Sequence, residues 1–147
     1  MASILVEKIE NGTVIDHIEA GRGLRVLQIL GIAEGAPSGR VALMVNVPSK
    51  KMGRKDILKI EGFFADSKSA NKIALACPRA RLNIIKKGKV VQKIDVRLPE
   101  GMEGIARCPN PQCITNSEPS TTTYFAREGG MLRCGFCERL FDAPELV

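Results

Sequence analysis

Tryptophan is absent, tyrosine and histidine occur once each, and aromatic residues make up 4% of the 147-residue chain. So few rings leave no platform on which the bases of a single-stranded nucleic acid could stack. One histidine, with no Ser–His–Asp or Cys–His arrangement in view, argues against a nucleophilic enzyme. A glycine-rich phosphate loop of the P-loop or dinucleotide type is also missing. No stretch approaches the roughly 18 consecutive apolar residues that span a bilayer, so no membrane partner is expected. The first residues carry neither a basic segment nor an apolar one of the secretory kind, and a cytoplasmic protein is the default expectation.

What is present is unevenly distributed. Residues 1–100 hold 18 Lys and Arg against 10 Asp and Glu, a balance of +8, whereas residues 101–147 hold 4 against 6, a balance of −2. A phosphate-bearing partner would therefore be met by the first part. The segment Arg97–Gly104 mixes Pro, Gly and acidic residues without a sustained period, which predicts a boundary between domains at 1–98 and 99–147.

Before that boundary, strand and helix patterns alternate. A short apolar run over Ile4–Ile9 precedes Asn11-Gly12, a tight-turn signal, and a second strand over Val14–Ile18. Leu24, Leu27 and Leu30 recur at helical spacing up to Gly31, a C-terminal cap. Val41–Val47 reads as a strand ended by Pro48, and Ile57–Ile60 as another. Asp66 or Ser67 can cap a second helix that stops before Pro78. Ala80–Ile85 and Val90–Val96 then flank Lys86-Lys87-Gly88-Lys89. This order predicts an α+β fold: a ferredoxin-like βαββαβ antiparallel sheet with two helices on one face and an extra strand at each end, followed by a small all-β domain. There is no internal repeat and no low-complexity tract.

The second part carries Cys-Pro-Asn-Pro-Gln-Cys, then 20 residues, then Cys-Gly-Phe-Cys. Two close pairs let each turn present two sulfurs to one ion, so Cys108, Cys113, Cys134 and Cys137 are expected to bind one structural zinc per chain. Four protein ligands leave no open position for catalysis. Pro109 and Pro111 stiffen the first turn, and Gly135 is expected to let the second bend tightly. Leu132, Leu140, Phe125 and Phe141 are too few large apolar residues to hold the module without metal. Disulfides are disfavoured in a cytoplasmic chain. Iron in a rubredoxin-like centre competes with zinc, because sulfur spacing does not separate the two metals. Cys77 reads as a small core residue.

Alternation along a strand places Lys55, Ile57 and Lys59 on one face, and predicts the same for Lys87, Lys89, Val91 and Lys93. With His17 and Asp16, such a face suits a phosphate-bearing small molecule with a hydroxylated sugar. Charge pattern alone favours the plainer alternative of a solvated lysine face with His17 at the surface. Asp16 and His17, adjacent on a strand, are expected to face opposite ways.

Gly12-Thr13-Val14-Ile15-Asp16-His17-Ile18, Met52-Gly53-Arg54-Lys55-Asp56 and Cys108-Pro109-Asn110 with Cys113-Ile114 resemble the regulatory chain of aspartate carbamoyltransferase, nearly end to end. The resemblance implies a non-catalytic subunit that controls pyrimidine biosynthesis. Its nucleotide domains would pair into a homodimer, and its zinc domain would dock on the catalytic chain. CTP, in some members with UTP, would favour a low-affinity state, and ATP would oppose it. Carried over by motif, Lys59 and Lys93 would meet the triphosphate with His17 and Lys55 nearby, and Asp16 would take the ribose hydroxyls. Val6, Glu7, Lys8, Ile9, Val14, Ile57, Asn83, Ile85 and Val90 would line the base and sugar pocket. The sequence departs from well-known members at Gly88, where they carry an aromatic residue. A zinc-ribbon nucleic-acid binder is the rival class, superficially favoured by a pI of about 9.2. The acidic zinc module and scarce aromatics argue against it, and no nucleic-acid partner is expected.

Overall fold

The computed structural model describes residues 8–32 and 39–147. Among the described residues, five strands form the first sheet: β1 (Gly12–Glu19), β2 (Val41–Ser49), β3 (Gly53–Glu61), β4 (Arg81–Lys86) and β5 (Lys89–Asp95). Their spatial order is β2-β3-β1-β4-β5 with every pairing antiparallel, the split-βαβ arrangement with one strand added at the C-terminal edge. The expected N-terminal strand lies largely outside the described residues; of it only Lys8 and Ile9 are described, and neither is in a strand.

Helices α1 (Gly23–Ile29) and α2 (Ser67–Ala76) contribute Val26, Ala70, Ile73 and Ala74 to a core shared with Ile15, Ile18, Leu58, Ile60 and Leu82 of the sheet. Each fully buried Ile or Leu contributes about 1.5–3 kcal/mol by leaving water. The cap expected for α2 is formed by Asp66, whose side chain accepts a hydrogen bond from the Ser69 N–H at 2.8 Å. In α1 the leucine spacing is a poorer guide. Leu24 is 56% exposed and Leu27 only half-buried, and Val26 is the fully buried residue. Nor does β2 stop at Pro48. Among the described residues it is an edge strand paired on one side only, so a residue without an N–H is accommodated opposite Arg54.

The second sheet, in the order β6-β7-β8-β9, comprises Gly101–Glu103, Tyr124–Glu128, Met131–Cys134 and Leu140–Asp142. The segment Arg97–Gly104 is thus not wholly irregular: β6 lies inside it and buries Met102. A one-turn helix, α3 (Ile114–Ser117), and a closing 3-10 turn (Ala143–Leu146) complete this part. Phe125 and Leu132 are fully buried here, while Leu140 faces outward. Leu75 of α2 packs in this second core, and Leu98 and Val147 touch both cores. Among the described residues no helix is long and apolar enough to cross a membrane.

Candidate functional site

Four sulfurs converge at one end of the second sheet. The Sγ atoms of Cys108, Cys113, Cys134 and Cys137 all lie within 4.8 Å of one another, with Cys108–Cys137 at 3.7 Å and Cys113–Cys134 at 3.8 Å. A tetrahedron of thiolates about 2.3 Å from a central ion has edges of about 3.8 Å, so the donor set fits one four-coordinate metal. The first turn is shaped by Asn110, whose Oδ1 accepts from the Gln112 N–H and whose carbonyl accepts from the Cys113 N–H. Asn116 donates to the carbonyls of Cys108 and Asn110, pinning α3 to that turn. The Thr115 hydroxyl donates to the Cys113 sulfur at 3.2 Å, and the Phe136 N–H to that of Cys134 at 3.4 Å. Donors of this kind orient metal-bound thiolates.

Four thiols this close cannot all ionise without a cation among them. Burial and the neighbouring sulfurs push Cys108 up to about 12. Cys137 moves the other way: burial opposes ionisation, but backbone and Asn110 hydrogen bonds outweigh it and bring the thiol down to about 7. In the second turn it is Glu138, not Gly135, that takes the left-handed conformation (φ 62°). Gly135 is needed for contact instead: a Cβ there would sit 3.1 Å from the Tyr124 ring, in the strand whose carbonyl accepts the Gly135 N–H. Cys77 is remote from the quartet and buried in the first core, where burial raises its thiol to about 11.

A second constellation lies on the face of the first sheet opposite the helices. Register places Lys59, Val14, Asn83 and Lys93 side by side across β3, β1, β4 and β5. Together with Lys8, Ile9, Ile85, Gly88 and Val90, the residues Val14, Lys59 and Asn83 line a groove of about 290 Å³. At one end, Lys55 Nζ lies 2.9 Å from Asp16 Oδ1, and His17 Nδ1 lies 3.8 Å from Asp16 Oδ2. Burial pushes the Asp16 carboxyl up, but the Lys55 ammonium, the His17 N–H and their charges outweigh it and hold the group below the usual carboxylate range. Ile57 sits between Lys55 and Lys59 on the same alternation. Val6 and Glu7 lie outside the described residues.

Two expectations about facing are corrected by β-bulges. His17 has φ 58°, and the β1–β3 register slips between Ile15 and Ile18. The slip breaks strict alternation, so Ile15 and Ile18 both reach the core, and Asp16 and His17 lie within reach of each other. On β5 the register shifts so that Val90 faces Ile85 while Lys93 faces Asn83. Val90 and Lys93 therefore share the groove face, whereas Lys89, opposite Lys86, does not, and Lys87, Lys89, Val91 and Lys93 form no common row.

The two parts of the chain match two halves of one family. Residues 4–97 match the aspartate carbamoyltransferase regulatory chain, allosteric domain, and residues 100–147 match the metal binding domain of the same chain. The chain belongs to the aspartate carbamoyltransferase regulatory chain family. It is 50% identical to the regulatory chain of Pyrococcus abyssi, with 100% of this chain and 98% of the relative covered. Identity to that of Pyrococcus furiosus is 49% over the same shares. For the Pyrobaculum arsenaticum chain it is 48%, over 98% of this chain and 97% of the relative. It is a regulatory subunit and not a catalytic one, with an allosteric domain and a domain whose four cysteines can hold a metal ion.

One residue of this regulatory chain that sequence reasoning passed over is Asp56. It is almost fully buried, and its Oδ2 accepts from the N–H groups of Gly21 (3.0 Å) and Gly23 (2.8 Å), while its Oδ1 accepts from that of Asn46 (2.8 Å). One carboxylate thus ties the start of α1 and the bulge of β2 to β3. Its sequence signal is the alternation Asp56, Leu58, Ile60, which sets it on the face opposite Lys55, Ile57 and Lys59.

Proposed function

We propose that this regulatory chain binds CTP and ATP, with UTP as a further ligand, in the groove on the open face of its first sheet, and passes the resulting bias to catalytic chains through a four-cysteine zinc domain. The observation that carries the reading is the row Lys59, Val14, Asn83, Lys93 beside a groove of about 290 Å³. Two ammonium groups flank an apolar and amide-bearing floor, which suits a triphosphate at the flanks and a base and sugar between. The pocket would be lined by Val6, Glu7, Lys8, Ile9, Val14, Ile57, Asn83, Ile85 and Val90. Asp16, held ionised beside Lys55, would accept from ribose hydroxyls, with His17 next to it. Gly88 lies in the lining and carries no ring, so the base meets backbone and aliphatic surface there.

Zinc bound by the four thiolates would have a closed shell and supply folding free energy, with no chemistry of its own. Residues 99–147 would form the docking domain for the catalytic chain. In support, Ile114, Tyr124, Phe136 and Leu140 are exposed around the cysteine cluster, where a partner can cover them. Regulatory chains would pair through their domains spanning residues 1–98. Control then follows from linkage: a nucleotide bound more tightly in one quaternary state favours that state by the difference, typically about 1–3 kcal/mol. The chain would then act in the control of pyrimidine synthesis in the cytoplasm.

Calorimetry on the metal-loaded chain tests the groove. Lys93→Ala should weaken CTP and ATP alike, by roughly tenfold or more, because a lost charge-assisted phosphate contact costs about 1.5–3 kcal/mol whatever the base. Unchanged affinity for both nucleotides would remove Lys93 from the site. Co-expression with a catalytic carbamoyltransferase chain, assayed with and without CTP, tests the regulatory role: the assembled complex should respond and the catalytic chain alone should not.

A further inference from the structure

Between the two parts of the chain lies a larger cleft, of about 610 Å³, that the nucleotide groove does not include. Arg25, Gln28 and Ile29 of α1, Lys72 of α2, Ile105 and Arg107 beyond β6, and Leu146 with Val147 line it. Three of these side chains are cationic and none is acidic. Four arginines elsewhere have carboxylate partners, Arg22 with Glu19, Arg40 with Glu61, Arg81 with Asp95 and Arg133 with Glu128, while Arg54 and Arg127 donate to backbone carbonyls. Among the described residues no carboxylate comes within ion-pairing reach of Arg25, Lys72 or Arg107.

We propose that this cleft is a second anion site, which takes a small polyphosphate group and bridges the two domains. Three like charges that line one cleft together with the apolar Ile29, Ile105, Leu146 and Val147 create a positive potential there that a compact polyanion relieves. The volume falls within the roughly 300–1,000 Å³ typical of small-molecule sites. Two guanidinium groups suit bidentate contacts to phosphate oxygens, and the ammonium of Lys72 adds a point charge. The cations come from both sides of the junction, so a bound anion tightens the docking of one domain on the other. An anion that binds only the docked form stabilises it in proportion to its occupancy.

The test uses the full metal-loaded chain carrying Lys59→Ala and Lys93→Ala, which silences the groove on the sheet. Tripolyphosphate and ATP are each titrated by calorimetry, and the melting temperature is followed. Tripolyphosphate should bind at one per chain and raise the melting temperature. Adding Arg25→Gln and Arg107→Gln should weaken it at least tenfold, whereas Arg79→Gln with Arg97→Gln, removing equal charge elsewhere, should not. If ATP binds this background as well, the cleft accepts the polyphosphate of a nucleotide; if only tripolyphosphate binds, it takes the free anion. No binding of either, or equal losses in both arginine pairs, overturns the site. Failure of the sheet groove would be read separately, as nucleotide affinity unaffected by Lys59→Ala and Lys93→Ala but lost with Arg25→Gln and Arg107→Gln.

Discussion

Asp56 shows how much a single carboxylate can organise when backbone donors surround it. Replacing it by alanine leaves three N–H groups, at Gly21, Gly23 and Asn46, without their acceptor in a buried setting. Hydrogen bonds to a charged group contribute about 1.5–3 kcal/mol each and are not additive. Asp56→Ala should therefore cost about 3 kcal/mol or more, seen as a lower urea midpoint, whereas the half-exposed groove residue Asn83, as Asn83→Ala, should change it little. Asp16 makes a different prediction, in pH. Its carboxyl is held below the usual range by Lys55 and the His17 N–H. A depressed carboxylate stabilises the fold above its unfolded value, near pH 4, and that contribution is lost as pH falls through the lower folded value. Urea midpoints of the native chain and of Lys55→Met should differ at pH 6 and converge as the pH falls well below the ordinary carboxylate value.

At the scale of elements, β1 is the pivot. It is the central strand, paired with both β3 and β4, and everything on the open face is placed relative to it. Gly12 starts it at a point where a Cβ would lie 2.1 Å from the Ile60 carbonyl oxygen. Gly12→Ala should separate β1 from β3 at that end and cost more than about 2 kcal/mol, with hydrogen exchange rising first at Thr13 and Ile60. The bulges act at the same scale. That at His17 turns Asp16 toward Lys55, and that on β5 brings Val90 and Lys93 onto one face. A strand pattern alone does not reveal them, because a bulge is a property of two strands in register.

At the scale of the molecule, the two cores are joined by Leu75, Leu98 and Val147, and the second depends on its cysteines. Only Phe125 and Leu132, among the larger apolar residues named from the sequence, are fully buried there. Stripping the metal with a mercurial should therefore unfold residues 99–147, release the catalytic partner and leave nucleotide affinity of the first domain nearly unchanged. Size-exclusion chromatography with metal analysis reads this directly. A complex that survives complete metal loss would show that docking does not depend on the metal-held fold.

Much of the architecture was legible from local signals. Cysteine spacing, the Asp66 cap, the Lys87-Gly88 turn and the alternation of strand and helix each depend on a few neighbouring residues, so a split-βαβ sheet followed by a four-thiol module can be read from the chain before it is folded. The leucine spacing of α1 misjudged which side faces the core, and Pro48 did not end β2, because burial and edge position are properties of the packed sheet. Which side chains share the open face, the inward turn of Asp56 and the placing of Arg25, Lys72 and Arg107 around one cleft emerge only on folding. The physical reason is common to all three: each depends on residues tens of positions apart, brought together by register, bulge and domain docking.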